Sequence, residues 1–329
     1  MKAIVLAAGY GTRLRPMTDH VPKPAIPFCG MPMIAHTLRR LKRFGITDVV
    51  INVHHLGEYM EATARLHCPS GIDLTFSHEP VSALGTAGGI AFARALLEDT
   101  DPLLVVNGDV LPGIELRAAY DAHMTHQPAA TLLLTNKPYA HEFFGVALDI
   151  QNQVVGFWGD KHPTEVQRCA YTGIQWLSRR LRQTFPPHGA ACIKLDGWIP
   201  ALERDEPVLG VQCEGTWYDL GTPARYLSAH RIVADQLSEW TQWPERRPSV
   251  FSADPIPPRV RCEGPLTIGP GLQSDGGAHL GPHTHIGSNV TLRRDARVQN
   301  TVVWDNTTVS GVTMDCIIGP FGTISAAAS

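Results

Sequence analysis

The strongest constraint on the fold of this 329-residue chain is a six-residue repeat close to its C-terminus. An apolar or small residue opens each hexad at Ile268, Ser274, Leu280, Ile286, Leu292, Val298 and Trp304, and after a two-residue slip at Val312, Ile318 and Ile324. An irregular β segment would not keep one phase through so many repeats. Three hexads make one coil of a left-handed parallel β-helix, in which each coil contacts only its neighbours. Residues 268–324 therefore predict roughly three such coils.

The first half of the chain shows a different pattern, in which short apolar runs alternate with helical periodicity. Strands are predicted at Ala3–Leu6, Val49–Val53, Leu74–Ser77 and Leu103–Val106, and helices at Met33–Phe44 and Leu56–Leu66. This alternation indicates βαβ units, and hence an α/β fold with a parallel sheet covered by helices on both faces. Ligands of such sheets bind at the carboxyl ends of the strands.

The region between the two patterns is rich in proline, arginine and tryptophan, which is typical of a linker lying on a surface. We therefore predict a catalytic domain over 1–238, a linker over 239–258 and a β-helix over 259–325. A chain of this length is long enough for two domains that each bury a core.

The segment after the first predicted strand indicates a phosphate site. Residues 7–13 form a short loop with two glycines, which let backbone N–H groups approach phosphates closely. Arg13 and Lys23 add positive charge, and the prolines on both sides of Lys23 stiffen the chain that carries it. The loop is not a Walker A motif, and Leu14 stands where a dinucleotide fingerprint needs a third glycine.

Composition narrows the possible partners. The formal charge of −3 provides no basic surface for nucleic acid. Seven cysteines without a C-x-x-C pair predict reduced thiols in a cytoplasmic protein, with neither disulfides nor a zinc site. The apolar run after Lys2 is too short for a signal or membrane segment. The pairs His54-His55 and His283-x-His285 lack a third ligand nearby in sequence, and we expect them to be solvated or at a core edge.

Two aspartates are candidate metal ligands. Asp109 follows the predicted strand that ends at Val106, and its carboxylate is a hard oxygen ligand of the kind that Mg²⁺ prefers. By itself it fits a helix N-cap better. Asp219, in the sequence Thr-Trp-Tyr-Asp-Leu-Gly-Thr-Pro, becomes the second candidate only through the family resemblance that follows. Two carboxylates converging on one cation would suit a metal that bridges two phosphorylated substrates.

The string from Leu6 to Pro24, with its Gly-x-Gly-Thr-Arg-Leu and Pro-Lys-Pro elements, resembles the signature of the sugar-1-phosphate nucleotidyltransferases, also called NDP-sugar pyrophosphorylases. The resemblance implies a Rossmann-like domain with a mostly parallel central sheet. It also implies Mg²⁺-dependent transfer of a nucleotidyl group from an NTP to a sugar-1-phosphate, which releases pyrophosphate. In this family pattern Arg13 and Lys23 are catalytic, and Asp109 and Asp219 hold the metal.

The resemblance extends to the rest of the site. It assigns nucleotide binding to Leu6, Ala7, Ala8, Gly9, Gly11, Thr12, Glu79, Gly85, Thr86 and Ala87, and sugar binding to Asn107, Gly145, Lys161, Thr172 and Gly173. As an alternative, the glycines at 85, 88 and 89 pack a helix against the sheet. The carboxylate of Glu79 matches two adjacent donors of guanine, which favours GTP. The Leu-Gly-Thr-Ala-Gly-Gly stretch and the β-helix tail resemble mannose-1-phosphate guanylyltransferases, which implies mannose-1-phosphate or a related sugar as acceptor.

Other functions stay open at this point. The segment Gly159–Pro163 and the residue Thr172 depart from the family pattern. The Thr-Gly-Ile turn at 172–174 and the compact catalytic region resemble N-acetylmuramate-1-phosphate uridylyltransferases. A UTP-dependent enzyme acting on that or another hexose-1-phosphate is therefore the main alternative. A non-catalytic regulatory paralogue and a bifunctional enzyme with an acetyltransferase tail are alternatives of other classes. We expect a homo-oligomer assembled through the β-helix.

Overall fold

The computed structural model describes residues 1–80, 82–110, 113–136, 145–157 and 162–326. The chain divides into two compact units. The sheet unit comprises Met1–Tyr10 and Thr37–Tyr218, and the coil unit comprises Gly11–His36 and Asp219–Ser329. The predicted boundary at residue 238 follows the linear order of the chain. The compact units instead group the glycine-loop segment with the C-terminal third.

The described helices and the strands of the first two thirds are as follows. The strands are β1 (Lys2–Leu6), β2 (Pro27–Phe28), β3 (Met31–Pro32), β4 (Asp48–Val53), β5 (Asp73–His78), β6 (Leu103–Asn107), β7 (Gly113–Ile114), β8 (Ala130–Thr135), β9 (Gly145–Leu148), β10 (Val154–Phe157), β11 (Gln167–Leu177), β12 (Val208–Gln212) and β13 (Gly215–Thr216). The α-helices are α1 (Met33–Phe44), α2 (Gly57–Leu66), α3 (Gly85–Phe92), α4 (Arg94–Leu97), α5 (Arg117–His126), α6 (Arg179–Gln183), α7 (Ile199–Glu203), α8 (Pro223–Ile232) and α9 (Leu237–Trp240). Short 3₁₀ helices cover Thr12–Leu14, Met17–Asp19, Lys23–Ala25 and Ala234–Gln236, and a π-helical turn covers Lys194–Trp198.

The sheet unit is built on a nine-stranded sheet in the order β10-β9-β11-β6-β1-β4-β5, with β8 beside β11 and β12 beside β8. Strands β6, β1, β4 and β5 are mutually parallel, as are β8 and β12. Strand β11 runs antiparallel to β6, β8 and β9, and β10 is antiparallel to β9. Within this sheet only β10 and β11 oppose the common direction. The predicted mostly parallel α/β sheet is therefore confirmed.

The predicted strands and helices of the first half are all present, because their apolar residues form the core. In β1, residues Ala3, Ile4 and Val5 are fully buried, as expected of a central parallel strand covered on both faces. Leu38 and Leu41, three residues apart on α1, are also buried. Each such side chain stabilises the fold by about 1.5–3 kcal/mol through the apolar surface that it removes from water.

The C-terminal region of the coil unit consists of short strands that form three sheets. These strands are β14 (Glu245–Arg247), β15 (Val250–Ser252), β16 (Arg261–Cys262), β17 (Leu266–Ile268), β18 (Gln273–Ser274), β19 (His279–Leu280), β20 (Thr284–Ile286), β21 (Thr291–Leu292), β22 (Arg297–Gln299), β23 (Val302–Val303), β24 (Thr308–Val309), β25 (Val312–Met314), β26 (Cys316–Gly319) and β27 (Gly322–Ser325). The sheets run β14-β15-β17-β20-β23-β26-β27, β16-β19-β22-β25 and β18-β21-β24. Parallel pairs such as Ile268 with Ile286 are one coil of three hexads apart. The predicted left-handed β-helix agrees with this arrangement.

Two details of the coils differ from the repeat. The parallel stack begins with β15 at Val250, inside the predicted linker, because Val250 pairs with Leu266 of the next coil. The later coils are also shorter than three full hexads, since Ile286 pairs with Val303 and Val303 with Ile318. Val303 therefore takes the inward position that the repeat assigned to Trp304. Val312, predicted to resume the inward series, is 69% exposed.

The corners of the coils explain why the repeat tolerates this shortening. Non-glycine residues with positive φ occur at His283, Asn289, Asp295, Asn300 and Asn306. The left-handed conformation is costly for most L-residues, and Asn and Asp bear it best because their short side chains bond locally. A corner placed one residue early, at Asn300, therefore shortens a coil at small cost.

Within the described part of the chain, no helix is both long enough and apolar enough to cross a bilayer.

Candidate active site

In the coil unit, Gly11 packs against the segment that carries Lys23. Gly11 has φ 62°, and a Cβ at this position would lie 2.8 Å from Thr18 Cγ2 and 3.3 Å from Lys23 Cβ. The Thr18 hydroxyl donates to the Gly11 carbonyl oxygen at 2.9 Å. The Leu14 N–H donates to the same carbonyl and starts the first 3₁₀ turn. Glycine is thus required here both for its backbone conformation and for close packing.

The two predicted catalytic cations of the loop differ in exposure. Arg13 is exposed within the first 3₁₀ turn, whereas Lys23 is half-buried at the start of the third. Pro22 precedes Lys23 in an extended conformation, and Pro24 and Ala25 behind it are buried. The stiff, packed prolines therefore fix the backbone from which the lysine extends.

The second group of site residues in the coil unit surrounds Gly221. A Cβ on Gly221 would lie 2.5 Å from Asp219 Oδ1 and 2.7 Å from Arg13 Nη2, so both side chains occupy the space that the missing side chain leaves. The Gly221 N–H donates to Asp219 Oδ1 at 2.7 Å, and Arg225 Nη1 lies 3.3 Å from the same oxygen. The structure therefore brings Arg13, Asp219 and Arg225 together around one glycine.

The local fold near Asp219 follows from a well-formed helix start. Thr222 is the N-cap of α8, and its hydroxyl oxygen accepts a hydrogen bond from the Arg225 N–H at 3.2 Å. Pro223 takes the first helical position, where its missing N–H costs nothing. The cap places Arg225 in the first turn, beside Asp219. Among the described residues, the hydrogen bonds of the Asp219 carboxylate fall on Oδ1.

In the sheet unit, a chain of buried hydrogen bonds connects the ends of three strands. Asn52, at the end of β4, accepts from the Ala7 N–H at 2.7 Å through Oδ1 and donates to Glu79 Oε1 at 2.6 Å. The other carboxylate oxygen of Glu79 accepts from the Leu84 N–H at 2.7 Å. Asn52 and Glu79 are almost fully buried. Each oxygen of Glu79 thus has one protein partner, and its reading of guanine stays a prediction.

The glycines after Leu84 are explained in part by packing. A Cβ on Gly85, which has φ 71°, would lie 2.7 Å from the Ala191 carbonyl oxygen, and one on Gly88 would lie 2.8 Å from the Gly189 carbonyl oxygen. The N–H groups of Ala87 and Gly88 donate to the Ala191 carbonyl. Gly85 and Gly88 therefore have a packing role, but against the loop backbone at Gly189 and Ala191 and not against the sheet as the alternative above stated. Gly85 is exposed and Thr86 half-buried, and nucleotide binding by Gly85, Thr86 and Ala87 stays a prediction.

The predicted sugar residues of the sheet unit lie around the end of β6. Gly173 has φ 81°, and a Cβ there would lie 2.9 Å from Asn107 Nδ2. Thr172 is fully buried, and its hydroxyl donates to the Leu133 carbonyl at 2.7 Å. The Thr172 carbonyl accepts from the indole N–H of Trp217 at 2.7 Å. The structure thus places Asn107 next to Gly173, whereas the Thr172 hydroxyl is hydrogen-bonded to the neighbouring strand β8.

The remaining predicted residues lie as follows. Asp109 is half-buried just beyond β6, where the Gly108 N–H donates to the Leu6 carbonyl. Ala7 and Ala8 are buried, and Thr12 is exposed. Gly145 begins β9, with Arg168 Cδ 3.3 Å from the position of an added Cβ. Lys161 lies outside the described residues.

Three residues that contact the predicted ones were not assigned to the site from the sequence. Asn52 was hidden within an apolar strand, although a buried amide at a strand end is the signal that marks it. His54 bonds the Tyr10 hydroxyl at 3.0 Å and the Glu79 carbonyl at 3.0 Å, so it connects the loop after β1 with Glu79. Arg225 contacts Asp219 because it lies in the first turn of α8, directly after the loop that carries Asp219.

Comparisons with known proteins identify the family. The family model described as "Nucleotidyl transferase" matches residues 2–236. Mannose-1-phosphate guanylyltransferase catalytic subunit beta of Dictyostelium discoideum is 30% identical over 72% of this chain, and the probable mannose-1-phosphate guanylyltransferase 1 of Oryza sativa subsp. japonica is 31% identical over 72%. Each alignment covers 66% of the relative's own length.

Solved structures show the same fold. HddC from Yersinia pseudotuberculosis complexed with GMP-PN has a TM-score of 0.58 and 20% identity, covering 69% of this chain and 97% of its own. Because the family model spans well over half of the sequence, the chain belongs to the nucleotidyl transferase family.

Proposed function

We propose that this protein transfers the guanylyl group of GTP to mannose-1-phosphate, giving GDP-mannose and pyrophosphate. The observation that carries the reaction type is that Arg13, from the family's signature loop, and Asp219 both lie against Gly221. The choice of base and sugar is supported by the relatives, which are named mannose-1-phosphate guanylyltransferases. The chain spans about two thirds of their length.

The reaction needs little acid–base chemistry from the protein. A phosphate oxygen of the sugar-1-phosphate is already ionised at neutral pH, so it attacks the α-phosphorus without a general base. Catalysis is then a matter of aligning two anions and stabilising the charge that moves onto the leaving pyrophosphate. Fixed positive groups are required, and they are what the coil unit supplies.

We assign the charge-stabilising role to the cations of the signature loop. The planar guanidinium of Arg13 suits bidentate contact with the β- and γ-phosphates as they leave. Lys23, on its proline-flanked turn, offers a point charge for the α-phosphate. Arg225 contacts Asp219, and we propose that it positions this carboxylate rather than contacting substrate.

The carboxylates suit a hard divalent cation. With Asp219 Oδ1 engaged by the Gly221 N–H and Arg225, its Oδ2 is the atom we assign to Mg²⁺. Asp109, immediately after the end of β6, is the second carboxylate ligand in this proposal. When bound, Mg²⁺ supplies neutralisation of phosphate charge and alignment of the reacting groups.

The geometry of the glycine loop is compatible with close approach of a phosphate. Among the described residues, an added Cβ on Gly9 would meet no atom within 4 Å, so packing against that part of the chain does not require glycine at this position. A ligand placed against the backbone would require it, because the backbone N–H could then approach phosphate oxygens directly. Leu6, Ala7, Ala8, Gly11 and Thr12 complete this nucleotide segment in the proposal.

Two further proposals concern the cellular location and the oligomeric state of the protein. The described cysteines are all free thiols, which fits the proposed cytoplasmic location. We also propose that the protein is a homo-oligomer joined through its β-helix.

The experiment is a matrix of nucleotides and sugars. GTP, ATP, CTP, UTP and dTTP are each paired with mannose-, glucose-, N-acetylglucosamine- and N-acetylmuramate-1-phosphate, and pyrophosphate release is measured alongside the mass of the product. We expect the highest kcat/KM for GTP with mannose-1-phosphate. A preference for UTP with N-acetylmuramate-1-phosphate would replace the guanylyl assignment, and no turnover with any pair would indicate a binding protein. The Asp219→Asn variant is the control for contaminating activity.

A further inference from the structure

The coil unit contains a second potential metal site. Its residues are different from the carboxylates assigned to Mg²⁺, and they are of a different chemical type. Cys29, His230 and His285 each offer one ligand atom, and these atoms all lie within 4.8 Å of one another. The three residues come from the turn after β2, from α8 and from β20. Their side chains are almost fully buried, at 1%, 1% and 4% exposure.

The hydrogen bonds of His230 direct one ring nitrogen into the cluster. Its Nδ1 lies 3.0 Å from the Tyr226 carbonyl oxygen. A carbonyl only accepts, so Nδ1 carries the proton and Nε2 is left with a lone pair. Among the described residues, this buried Nε2 has no hydrogen-bond partner. A buried polar atom in this condition costs about 1–3 kcal/mol, which a ligand at Nε2 would recover.

His285 is oriented in a similar way. Its Nδ1 lies 2.9 Å from the hydroxyl of Thr267, a fully buried residue on the neighbouring strand β17. The remaining ring nitrogen is Nε2, and the rings of His285 and His230 are 4.2 Å apart between centroids. Histidines that bind metals usually have the other ring nitrogen held by a carbonyl, a carboxylate or another polar group, which sets the tautomer and the ring angle.

The position of Cys29 in its turn is costly. Phe28 pairs with Met31, so Cys29 and Gly30 form a two-residue turn, and both have positive φ, 47° and 88°. Such turns prefer Gly, Asn or Asp. Gly30 is required because an added Cβ would collide with the ring of Trp243. The left-handed conformation of Cys29 lowers the stability of the fold by about 1–2 kcal/mol, and asparagine would adopt it more easily.

Burial keeps all three groups in their uncharged forms when no ion is bound. It lowers the pKa of His230 to about 3 and that of His285 well below its usual value, and it raises the pKa of the Cys29 thiol. Neutral imidazole is the form of histidine that binds a metal. Binding of a divalent ion would release the thiol proton to solvent and form a metal–thiolate bond.

From this geometry we propose that Cys29, His230 and His285 bind one zinc ion. A thiolate with two imidazoles is a ligand set that suits Zn²⁺ and not Mg²⁺. Ligand atoms around a tetrahedral zinc are roughly 3.3–3.8 Å apart, as follows from Zn–N and Zn–S bonds of about 2.0 and 2.3 Å. The ligand atoms of the cluster are at most 4.8 Å apart, so shifts of about 1 Å or less bring them to these separations. The fourth position is left for a water molecule.

The role of such an ion would be to hold the coil unit together. The turn of Cys29 follows the signature loop in sequence, α8 follows Asp219, and β20 belongs to the β-helix. One ion would therefore fasten three segments that are distant along the chain, and its loss would loosen the scaffold that holds Arg13 beside Asp219.

The test is a metal analysis of the full-length protein. The protein is reconstituted with Zn²⁺, and unbound ion is removed by gel filtration. Elemental mass spectrometry should then find one zinc ion per chain. Cys29→Ser and His285→Gln should each lose most of it. Cys316→Ser is the matched control, because Cys316 is a buried free thiol of the same unit that lies outside the cluster. Equal zinc in Cys29→Ser and Cys316→Ser, or absence of zinc from wild type, would overturn the proposal.

A second measurement covers variants that fail to fold. Wild-type protein stripped with a chelator should melt at a lower temperature, and Zn²⁺ but not Mg²⁺ should restore the melting temperature. When Co²⁺ replaces Zn²⁺, we expect a thiolate-to-metal charge-transfer absorption band in the wild-type protein and also in the control variant Cys316→Ser. A melting temperature unaffected by stripping, or a Co²⁺ protein without that band, would count against the site, as would recovery of copper in place of zinc.

Discussion

Asn52 donates a 2.6 Å hydrogen bond from its side-chain amide to Glu79, and through its oxygen accepts from the Ala7 N–H. The first residue of the glycine loop is therefore held by the same pair that anchors the segment before α3. Glu79 completes the connection by accepting from the Leu84 N–H. A carboxylate is needed at this position because both of its neighbours donate.

Replacing Glu79 with glutamine tests whether this carboxylate also selects the base. A glutamine amide presents one oxygen and one NH₂ group, so either Asn52 or Leu84 then faces a donor. We expect a stability loss of about 1–3 kcal/mol and, if Glu79 also accepts from guanine, a roughly ten- to hundredfold narrowing of the preference for GTP over UTP. Chemical denaturation and kcat/KM measure the two effects, with the exposed Glu58→Gln as control. A stability loss with unchanged preference would make Glu79 purely structural.

Replacing Arg13 with alanine tests the charge at the leaving group. We expect kcat to fall about 10²–10³-fold, the usual effect of removing one preorganised electrostatic contact. Arg15→Ala is the matched control, because Arg15 is an exposed arginine two residues away that pairs with Asp19 at 3.0 Å. Near-normal kcat for Arg13→Ala at saturating GTP and Mg²⁺ would refute the assignment.

Replacing Asp219 with asparagine tests the proposed metal ligand. Size and shape are kept while the charge is lost, so the Mg²⁺ concentration for half-maximal activity should rise and most turnover should disappear. Magnesium titrations of wild type, Asp219→Asn and Asp109→Asn give the comparison. The control is Asp275→Asn, which alters an exposed pair with Arg293 on the β-helix. An unchanged titration curve for Asp219→Asn would mean that this residue only orders the turn before α8.

The buried His123 predicts a pH dependence of stability. Burial lowers its pKa from 6.5 to about 4, with a smaller opposing effect of Asp101 and a further lowering by Arg180. Between these values the unfolded chain binds a proton that the folded protein does not, so stability falls as the pH falls from 6.5 to 4. The full effect is about 3 kcal/mol for this group.

The variant His123→Asn should remove that part of the slope, because asparagine can keep the hydrogen bond to Thr131 without titrating. Denaturation at several pH values measures it, and His126→Asn, an exposed position of the same helix, is the control. Since other buried histidines are unchanged in both variants, the difference isolates His123. Parallel slopes for wild type and His123→Asn would contradict the prediction.

Assembly through the β-helix can be tested on its edge strand. Val312 and Met314 are 69% and 51% exposed on β25, the last strand of the sheet β16-β19-β22-β25. Lysine at both positions adds charge to that edge and should lower the mass in solution measured by light scattering. Leu66→Lys, at an exposed position on α2, should not change it. A wild-type mass of a single chain, or an unchanged mass in the double variant, would exclude this edge as the assembly contact.

The parts of the fold that were predictable are those in which local pattern and burial agree. The strand ending at Leu6 is an apolar run because it is covered on both faces, and the hexads repeat because each coil packs on the next. The shortened coil at Asn300 was not predictable, because a corner moved by one residue changes no residue type that the repeat requires. Because of the shortened coil, Val303 takes the inward position that the repeat predicted for Trp304.

The candidate site divides in the same way. Arg13 and Asp219 were found from contiguous motifs, whereas Asn52 and Arg225 become evident only when their partners are known. The grouping of Cys29 with His230 depends on segments that are far apart in the sequence, so cysteine spacing could not reveal it. Lys161 was predicted from a motif and still awaits a test.

The composition of the coil unit has a consequence for synthesis on the ribosome. The Tyr226 hydroxyl donates to the Pro27 carbonyl across 199 positions of sequence, within a unit whose other members include the final coils of the β-helix. Contacts of such long range form late, since the intervening chain must be made before they can close. The segment bearing Arg13, although it is made among the first, can therefore be held in place only after α8 has been made. Enzymatic competence should accordingly not appear in a nascent chain before that helix has left the ribosome.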